Sequence, residues 1–474
     1  MKFRILGHAS LEVEAGGTSL ICDPWLAGSA YWRSWWNFPP PPEDLLDGLA
    51  PDFIYLSHLH WDHFHGPTLR RLGLDRTILV PRTPDRRIID DLRKMGCNDV
   101  RELDHGVGVE LGGLRVTSYQ IGPFTDSALV IEADGTVILN ANDAKFMGGP
   151  LRQILRRHPR IDFALRSHSS ANSRLCYRFT DAPDESFDDL TAYSREFARF
   201  CAAVRPRYAI PFASNHCFLH EETYAFNDTV NFSANVAAYF AKRGITEPTC
   251  VPMSPGDRWD SEGGFQLAPA VTDLQAAIER YRSAKLPTLE RQKEKEAATG
   301  LTTRFVIRHL QDIIDGTPRL LRQRFRDKPI LIVGHSAKGD RAIAVDLSAG
   351  RVTEVPAEEA ERWPIRIHSS ALIINDCCAT RNWNSLGISK RVRFVCSRRD
   401  ASILRLFNYV LNAHEYELLP IRHVLDRRFI GVWLRRWREI PLYVHILTNF
   451  ALRRGFDMGR HLPRSASAAL GQGG

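Results

Sequence analysis

The chain has 474 residues, of which 44% are apolar and 25% are charged, a balance typical of a soluble globular protein. The length exceeds that of one ordinary domain, so we expect two. No apolar run of about eighteen residues and no signal-type n-region and h-region are found, which excludes a transmembrane class and predicts a cytoplasmic protein. The net charge of +8 is compatible with an anionic substrate, and we expect no nucleic-acid partner.

The predicted elements begin with short β-rich runs that alternate with glycine turns and helical stretches over residues 1–275. This alternation is typical of two packed sheets with helices on their outer faces. Helical patterning occurs at 68–74, 85–94, 186–204 and 231–242. We therefore predict an α/β fold of the αββα type for this part of the chain.

A polar, charged interval at residues 276–300 is predicted to be a linker or an exposed helix. It precedes a second domain at 301–465, for which we predict an α+β architecture. Strands are expected at 329–333, 342–347, 366–374 and 390–396, and amphipathic helices from Ala401 onward. The tail at 466–474, rich in Ala and Gly, is expected to be disordered.

The nine cysteines are irregularly spaced, and we expect reduced thiols instead of a disulfide framework. The sequence has no C-x-x-C pair. It also lacks the C-x-H…C-x-x-H pairing with which a protein holds a Rieske iron–sulfur cluster. We therefore expect no redox domain within this sequence.

The motif H-x-H-x-D-H stands directly after an apolar strand. His58 and His60 are two residues apart and so lie on the same side of an extended segment, while Asp62 and His63 follow as the chain bends toward a helix. Histidine accounts for only 17 of the 474 residues, so this concentration is far from a chance scatter. The motif predicts a metal site that can serve two metal ions.

This motif resembles the signature of the metallo-β-lactamase superfamily, in which the first two histidines hold one metal ion and the Asp-His pair holds the other. The segments at 5–14 and 21–25 are similar to the opening strands of the branch that includes ascorbate-6-phosphate lactonase, N-acyl-phosphatidylethanolamine phospholipase and CMP-N-acetylneuraminate hydroxylase. The residues at 23–26, 35–36, 39–40 and 52–57 are most similar to those of that hydroxylase. The resemblance implies a metallo-β-lactamase-type sandwich. The hydroxylases carry an N-terminal Rieske domain, whereas this sequence opens directly on the β-lactamase-like part.

The resemblance also implies a bridging carboxylate and a final histidine. Asp143 directly follows an apolar strand at 137–142. This is the position where the superfamily places its bridging aspartate. The final histidine should follow a downstream strand, and both His216 and His220 follow the strand at 208–212. We favour His216, which is nearer to the strand, and keep His220 as the alternative.

The remaining ligand departs from the hydrolase pattern. Superfamily hydrolases carry a histidine before the strand that precedes the bridging aspartate, but no histidine lies between His105 and Asp143, and Asp126 occupies the expected place. A carboxylate makes a site harder than an imidazole does and favours iron over zinc. A di-iron β-hydroxylase of nonribosomal peptide assembly lines is similar in this respect. The alternatives are that Asp126 is a turn residue or that the site holds a single metal ion.

Four further residues are candidates for substrate contact. His8 follows the first strand and lies near the metals in the resembled branch. His168 and Arg174 belong to a polar cluster after a strand, and Tyr177 follows them. Loops of this kind line the active site in the resembled fold. For each of the four, a purely structural role is the competing interpretation.

We therefore predict a metal-dependent oxygenase of the hydroxylase type, with two divalent metal ions, iron being favoured. Its substrate would be anionic, such as a nucleotide-sugar or a carrier-bound acyl group, and its electrons would come from a separate donor. The alternative is a dinuclear zinc or manganese hydrolase of a phosphoester, amide or lactone. Asp62 and Asp143 are the predicted catalytic carboxylates, and the second domain is expected to serve docking and not chemistry.

Overall fold

The computed structural model describes residues 1–122, 126–169, 171, 173–184 and 190–451. The tail predicted at 466–474, and residues 186–189 of one predicted helix, lie outside the described residues.

Short strands occur along most of the described chain. In chain order they are β1 Lys2–Ile5, β2 Leu11–Ala15, β3 Thr18–Cys22, β4 Ser29–Ala30, β5 Trp35–Asn37, β6 Phe53–Tyr55, β7 Thr77–Pro81, β8 Val100–Leu103, β9 Gly108–Leu111, β10 Leu114–Ile121, β11 Asp126–Ala133, β12 Thr136–Asn142, β13 Phe163–Arg166, β14 Tyr177–Phe179, β15 Tyr208–Pro211, β16 His216–Phe218, β17 Thr249–Cys250, β18 Arg258–Asp260, β19 Gly264–Gln266, β20 Ile330–His335, β21 Arg341–Asp346, β22 Arg351–Val355, β23 Arg366–Ser370 and β24 Val392–Cys396.

The α-helices follow in the same order. They are α1 Gly66–Leu72, α2 Arg87–Met95, α3 Gly148–Arg157, α4 Leu190–Val204, α5 Ser233–Lys242, α6 Leu274–Ala297, α7 Thr303–Gly316, α8 Arg319–Arg322, α9 Ala371–Thr380, α10 Asn384–Ile388, α11 Ala401–Glu415, α12 Arg427–Arg435 and α13 Ile440–Ala451. None of the helices in the described ranges combines the length and the apolar character needed to cross a membrane.

Two large sheets form the first part of the chain. The first has the strand order β19-β18-β1-β2-β3-β6-β7-β8, and the second has the order β17-β15-β13-β12-β11-β10-β9. The alternation along β11 shows how the second sheet serves two cores, because Leu129 and Ile131 pack toward the first sheet while Ala128 and Val130 pack toward α3, α4 and α5. Helices α1 and α2 cover the outer face of the first sheet. The predicted αββα sandwich is confirmed.

The C-terminal part contains a six-stranded sheet with the order β14-β24-β23-β20-β21-β22. Strand β14 comes from the first 275 residues and pairs in parallel with β24, so this sheet crosses the predicted domain boundary. The interval predicted as a linker or exposed helix lies almost wholly within α6. The strand predicted at 366–374 was too long: it ends at Ser370, and α9 begins at Ala371. Both elements are buried, and the short apolar segment at 371–374 fits a buried strand as well as a buried helix, so the sequence does not mark the change.

Candidate metal centre

Predicted metal ligands from both sheets lie together at one edge of the sandwich. His58, His60 and Asp143 each offer one ligand atom, and these atoms all lie within 4.8 Å of one another. The two histidines belong to the loop that follows β6 in the first sheet, whereas Asp143 follows β12 in the second. The group therefore depends on how the two sheets pack against each other.

A second group of potential ligands lies beside the first. It consists of His8, Asp62 and His63. His8 Nε2 is 3.1 Å from Asp62 Oδ2, and His63 Nε2 is 3.6 Å from the same oxygen. His63 Nε2 is also 3.3 Å from Asp143 Oδ2, so the two groups are adjacent. Two adjoining sets of imidazole and carboxylate ligands fit a pair of divalent metal ions.

The electrostatics of the cluster suit a cation. Burial opposes a charge on His63, yet the carboxylates of Asp62 and Asp23 raise the pKa of this histidine well above its ordinary value. Burial likewise opposes a charge on Asp62, but His63 and His8 hold the pKa of that carboxyl well below its usual range. The carboxylates around His63 therefore favour a positive charge at this position, which a bound metal ion would also supply. Burial lowers the pKa of His58 well below its ordinary value, so its imidazole is neutral, as metal ligation requires.

Two residues that the sequence analysis did not assign hold the ligands in place. Asp23 Oδ2 lies 2.9 Å from His63 Nδ1, and Asp23 also accepts hydrogen bonds at 2.7 Å from the backbone N–H and the hydroxyl of Ser57. Tyr31 Oη donates a hydrogen bond of 2.5 Å to Asp62 Oδ1. A carboxylate on the far nitrogen of a histidine fixes the ring's orientation and increases its basicity. The sequence signal that could have identified Asp23 is its position directly after β3.

The structure separates the two candidates for the final histidine. His216, the first residue of β16, stacks on Trp35 with 3.7 Å between the ring centroids and an interplanar angle of 1°, and its centroid is 5.4 Å from that of His8. Neither ring nitrogen of His216 has a hydrogen-bond partner within the described residues. His220 instead lines a separate cavity of about 620 Å³ together with His368. His216 is therefore the candidate that lies beside the second ligand group, next to His8.

His168 lies at the same edge of the second sheet, directly after β13. Its Nδ1 lies 3.3 Å from the carbonyl oxygen of Phe212, and its Nε2 has no hydrogen-bond partner among the described residues. Burial lowers the pKa of His168 to about 3, so the ring is neutral at physiological pH. An uncharged, unpartnered imidazole nitrogen of this kind is available to a ligand.

The remaining predicted residues are members of neither group. Asp126, the first residue of β11, belongs to neither group, although burial and then Asp143 raise the pKa of its carboxyl to about 7. Arg174 is exposed in a short 3-10 turn. Tyr177 opens β14 and packs against Phe394, with 5.1 Å between ring centroids. Arg174 and Tyr177 thus belong to the part of the chain that joins the C-terminal sheet.

The C-terminal part contributes a residue to the centre that the sequence analysis missed. Asn384, the first residue of α10, places its side-chain Nδ2 2.5 Å from His60 Nε2. The backbone N–H of Asn384 donates a 3.0 Å hydrogen bond to Glu415 Oε2 at the end of α11. Asn384 is therefore held by a second helix while it contacts a predicted metal ligand.

Comparison with known proteins agrees with this fold. Residues 2–139 match the family described as Beta-lactamase superfamily domain. The chain is 30% identical over 391 residues to a putative Rieske 2Fe-2S iron-sulfur protein of Mycobacterium tuberculosis, a match that covers 75% of this chain and 71% of that protein. A similarly described protein of Mycolicibacterium smegmatis is 30% identical, and the chain spans 48% of its length.

Two further similarities cover smaller parts. The cytidine monophosphate-N-acetylneuraminic acid hydroxylase of Danio rerio is 37% identical over 145 residues, which is 29% of this chain and 24% of that enzyme. Among solved structures, CmlA, a diiron β-hydroxylase from Streptomyces venezuelae, superposes with a TM-score of 0.38 at 18% identity, covering 54% of this chain and 53% of that one.

Proposed function

From the premise that the chain belongs to the metallo-β-lactamase superfamily, we propose that it is a metal-dependent oxygenase of the hydroxylase type, with two non-haem iron ions and an anionic substrate. The observation that carries this proposal is the pair of adjoining ligand groups, in which Asp62 and Asp143 are set among histidines. Mixed imidazole and carboxylate ligands suit a pair of non-haem iron ions. The similarity to a protein named as a hydroxylase supports the same reaction class.

In this proposal His58, His60 and Asp143 would hold one metal ion, and Asp62 and His63 would hold the other together with His216, whose ring lies beside that of His8. The ions would supply activation of O₂ for attack on a C–H bond. The protein's own contribution is orientation: Asp23 fixes the His63 ring, and Tyr31 fixes one oxygen of Asp62. Both His58 and His63 are buried, so bulk water is kept away from these ligands.

A hydroxylase needs an electron donor, and the relatives suggest its kind. The mycobacterial relatives are named as Rieske iron-sulfur proteins, yet this sequence has no C-x-H segment to open a Rieske site. We propose that a separate iron-sulfur protein delivers the electrons. The net charge of +8 would favour association with an acidic partner of this kind.

A zinc or manganese hydrolase is the second candidate, and one observation favours it. Asp126, the carboxylate on which the preference for iron was based, is a member of neither ligand group. Without it, imidazoles outnumber carboxylates around the centre, and such a set also suits zinc. In this case the two ions would bring the pKa of a bound water near neutrality for attack on a phosphoester, amide or lactone.

Metal analysis of protein purified without oxygen separates the two candidates. The oxygenase proposal expects about two irons per chain and a visible absorption band after exposure to air. Two zinc ions per chain and no visible band would overturn it in favour of the hydrolase. The Asp126→His variant should shift the metal preference from iron to zinc, and Asp126→Ala should lose metal, if this carboxylate is a ligand. Unchanged metal content in both variants would remove Asp126 from the site.

A further inference from the structure

A cavity of about 660 Å³ lies directly beside the metal-ligand loop, the segment at 56–65 between β6 and α1. Three parts of the chain meet around it: the segment at 29–33, the helices α1 and α2, and the segment at 379–382 at the end of α9. Trp61 and His65 from the metal-ligand loop form part of its wall. Ligand sites are often found at such junctions between domains.

The walls of this cavity carry an excess of positive charge. Five cationic side chains line it, and Asp91 is the one acidic side chain among the described lining residues; the cations are Arg33, Arg70, Arg87, Lys94 and Arg381. Asp91 is already shared, because it lies 3.0 Å from Arg87 and 3.3 Å from Lys94. Most of the positive charge in the cavity therefore has no counter-charge within its walls.

Arg33 and Arg70 are the least compensated of these cations. In the described part of the chain, neither forms an ion pair with a carboxylate, and Arg33 donates only to the hydroxyl of Ser29, at 3.1 Å. Burial, and after it the like charge of Arg291, lower the pKa of Arg33. Both arginines lie beside His65, which lines the same cavity. Like charges gathered without partners repel each other, and a bound anion would relieve that repulsion.

The backbone that presents Arg33 is strained. Tyr31, Trp32 and Arg33 are three successive non-glycine residues in the left-handed region, with φ angles of 54°, 53° and 64°. This conformation is unfavourable for residues with a Cβ and persists where surrounding contacts enforce it. Trp32 Nε1 donates to Asp376 Oδ2 at 3.0 Å, and Tyr31 donates to Asp62. The turn thus links the C-terminal part, the cavity and the metal-ligand carboxylate.

We propose that this cavity binds the phosphate class of polyanion, a pyrophosphate or phosphate-ester group, held by Arg33 and Arg70. Guanidinium groups match phosphate oxygens with two parallel hydrogen bonds, which makes arginine well suited to this ligand. Tyr31 lines the cavity and contacts Asp62, so the anion is held one side chain away from the metal centre. The role of this anion as part of the substrate rests on the proposed function, whereas its binding does not.

The test is isothermal titration of the metal-depleted full chain with inorganic pyrophosphate at constant ionic strength. Wild-type protein should bind pyrophosphate, and Arg33→Gln and Arg70→Gln should each weaken binding at least about tenfold through loss of a charge-assisted contact. Arg70 is exposed, so its substitution should leave the fold intact. Arg304→Gln, which neutralises an exposed arginine on α7, is the matched control and should bind as wild type.

Equal affinity of the wild type and both cavity variants would overturn the inference, as would the absence of binding to the wild type. The His60→Ala variant should still bind pyrophosphate. If it lost binding while Arg33→Gln kept it, the anion would sit on the metal ligands and not in the cavity. Finding zinc instead of iron would contradict the proposed oxygenase without changing any of these binding results, so the two proposals fail separately.

Discussion

The side-chain amide of Asn384 lies 2.5 Å from Nε2 of His60, so the C-terminal part of the chain contacts a predicted metal ligand directly. The Oδ1 of Asn384 accepts a longer hydrogen bond of 3.4 Å from Asn412 of α11. The C-terminal part was expected to serve docking, and this contact gives it an additional part in orienting the metal centre.

Replacing Asn384 by Ala should weaken metal binding by about tenfold or more, because groups that orient a ligand histidine typically have effects of this size. The measurement is metal per chain after dialysis against graded concentrations of a chelator. Asn98→Ala is the matched control, since it removes an exposed side-chain amide between α2 and β8, and it should retain metal as the wild type does. Equal retention by Asn384→Ala and wild type would show that the contact has no orienting role.

Replacing His60 by Ala should remove bound metal and abolish activity while the protein still unfolds cooperatively. The sandwich is held by the apolar faces of its sheets, which this substitution does not touch. Elemental analysis and thermal unfolding give the two readouts. His335→Ala is the control, since His335 lies in the separate cavity lined by His220, and this variant should bind as much metal as the wild type. Full metal occupancy in His60→Ala would contradict the ligand assignment.

Arg391 should make a large contribution to stability because its guanidinium is fully buried. It donates to Glu222 at 2.7 Å, to Glu296 at 2.6 Å and to the backbone carbonyl of Trp32 at 2.9 Å. Arg391→Ala leaves the largely buried carboxylate of Glu296 without its cationic partner, and we expect a loss of about 3 kcal/mol in the free energy of unfolding.

Arg393 provides the control for that measurement. It lies two residues farther along β24 and is exposed. Arg393→Ala should change the free energy of unfolding by less than about 0.5 kcal/mol, as is usual for surface substitutions. Urea denaturation of both variants checks the prediction, and similar midpoints for the two would contradict it.

Glu415 should make stability depend on pH. Burial raises the pKa of this carboxyl to about 7, above its ordinary value of 4.5. A group whose pKa is raised by folding binds its proton more tightly in the folded state, so its contribution to stability falls as the pH rises from about 4.5 to about 7 and is then constant. Glu415→Gln removes this titration, and the variant should gain stability relative to the wild type as the pH rises from 5 to about 8. Denaturation at both pH values measures the difference, and an unchanged difference would contradict the prediction.

The sequence alone determined the sandwich and the residues of the metal-ligand loop. Alternation along strands such as β11 places successive side chains on opposite faces, and that pattern is visible without coordinates. His58, His60, Asp62 and His63 lie within six positions, so their proximity follows from the local chain. Asp143 could be predicted because it directly follows a strand at the position where the resembled superfamily places its bridging aspartate. The limits of the strand at 366–374 could not, because the short apolar segment at 371–374, with which α9 begins, fits a buried strand equally well.

Only the tertiary structure decided which distant residues complete the centre. His60 and Asn384 are 324 positions apart, and His63 and Asp23 are 40 apart, so each contact depends on the packing of separate elements. The tertiary structure also decided which of His216 and His220 lies near the centre. Both follow β15, but β16 pairs with β5, and this pairing stacks the His216 ring on Trp35. Local periodicity carries no information about such pairings, because they are set by the burial of apolar faces contributed by the whole chain.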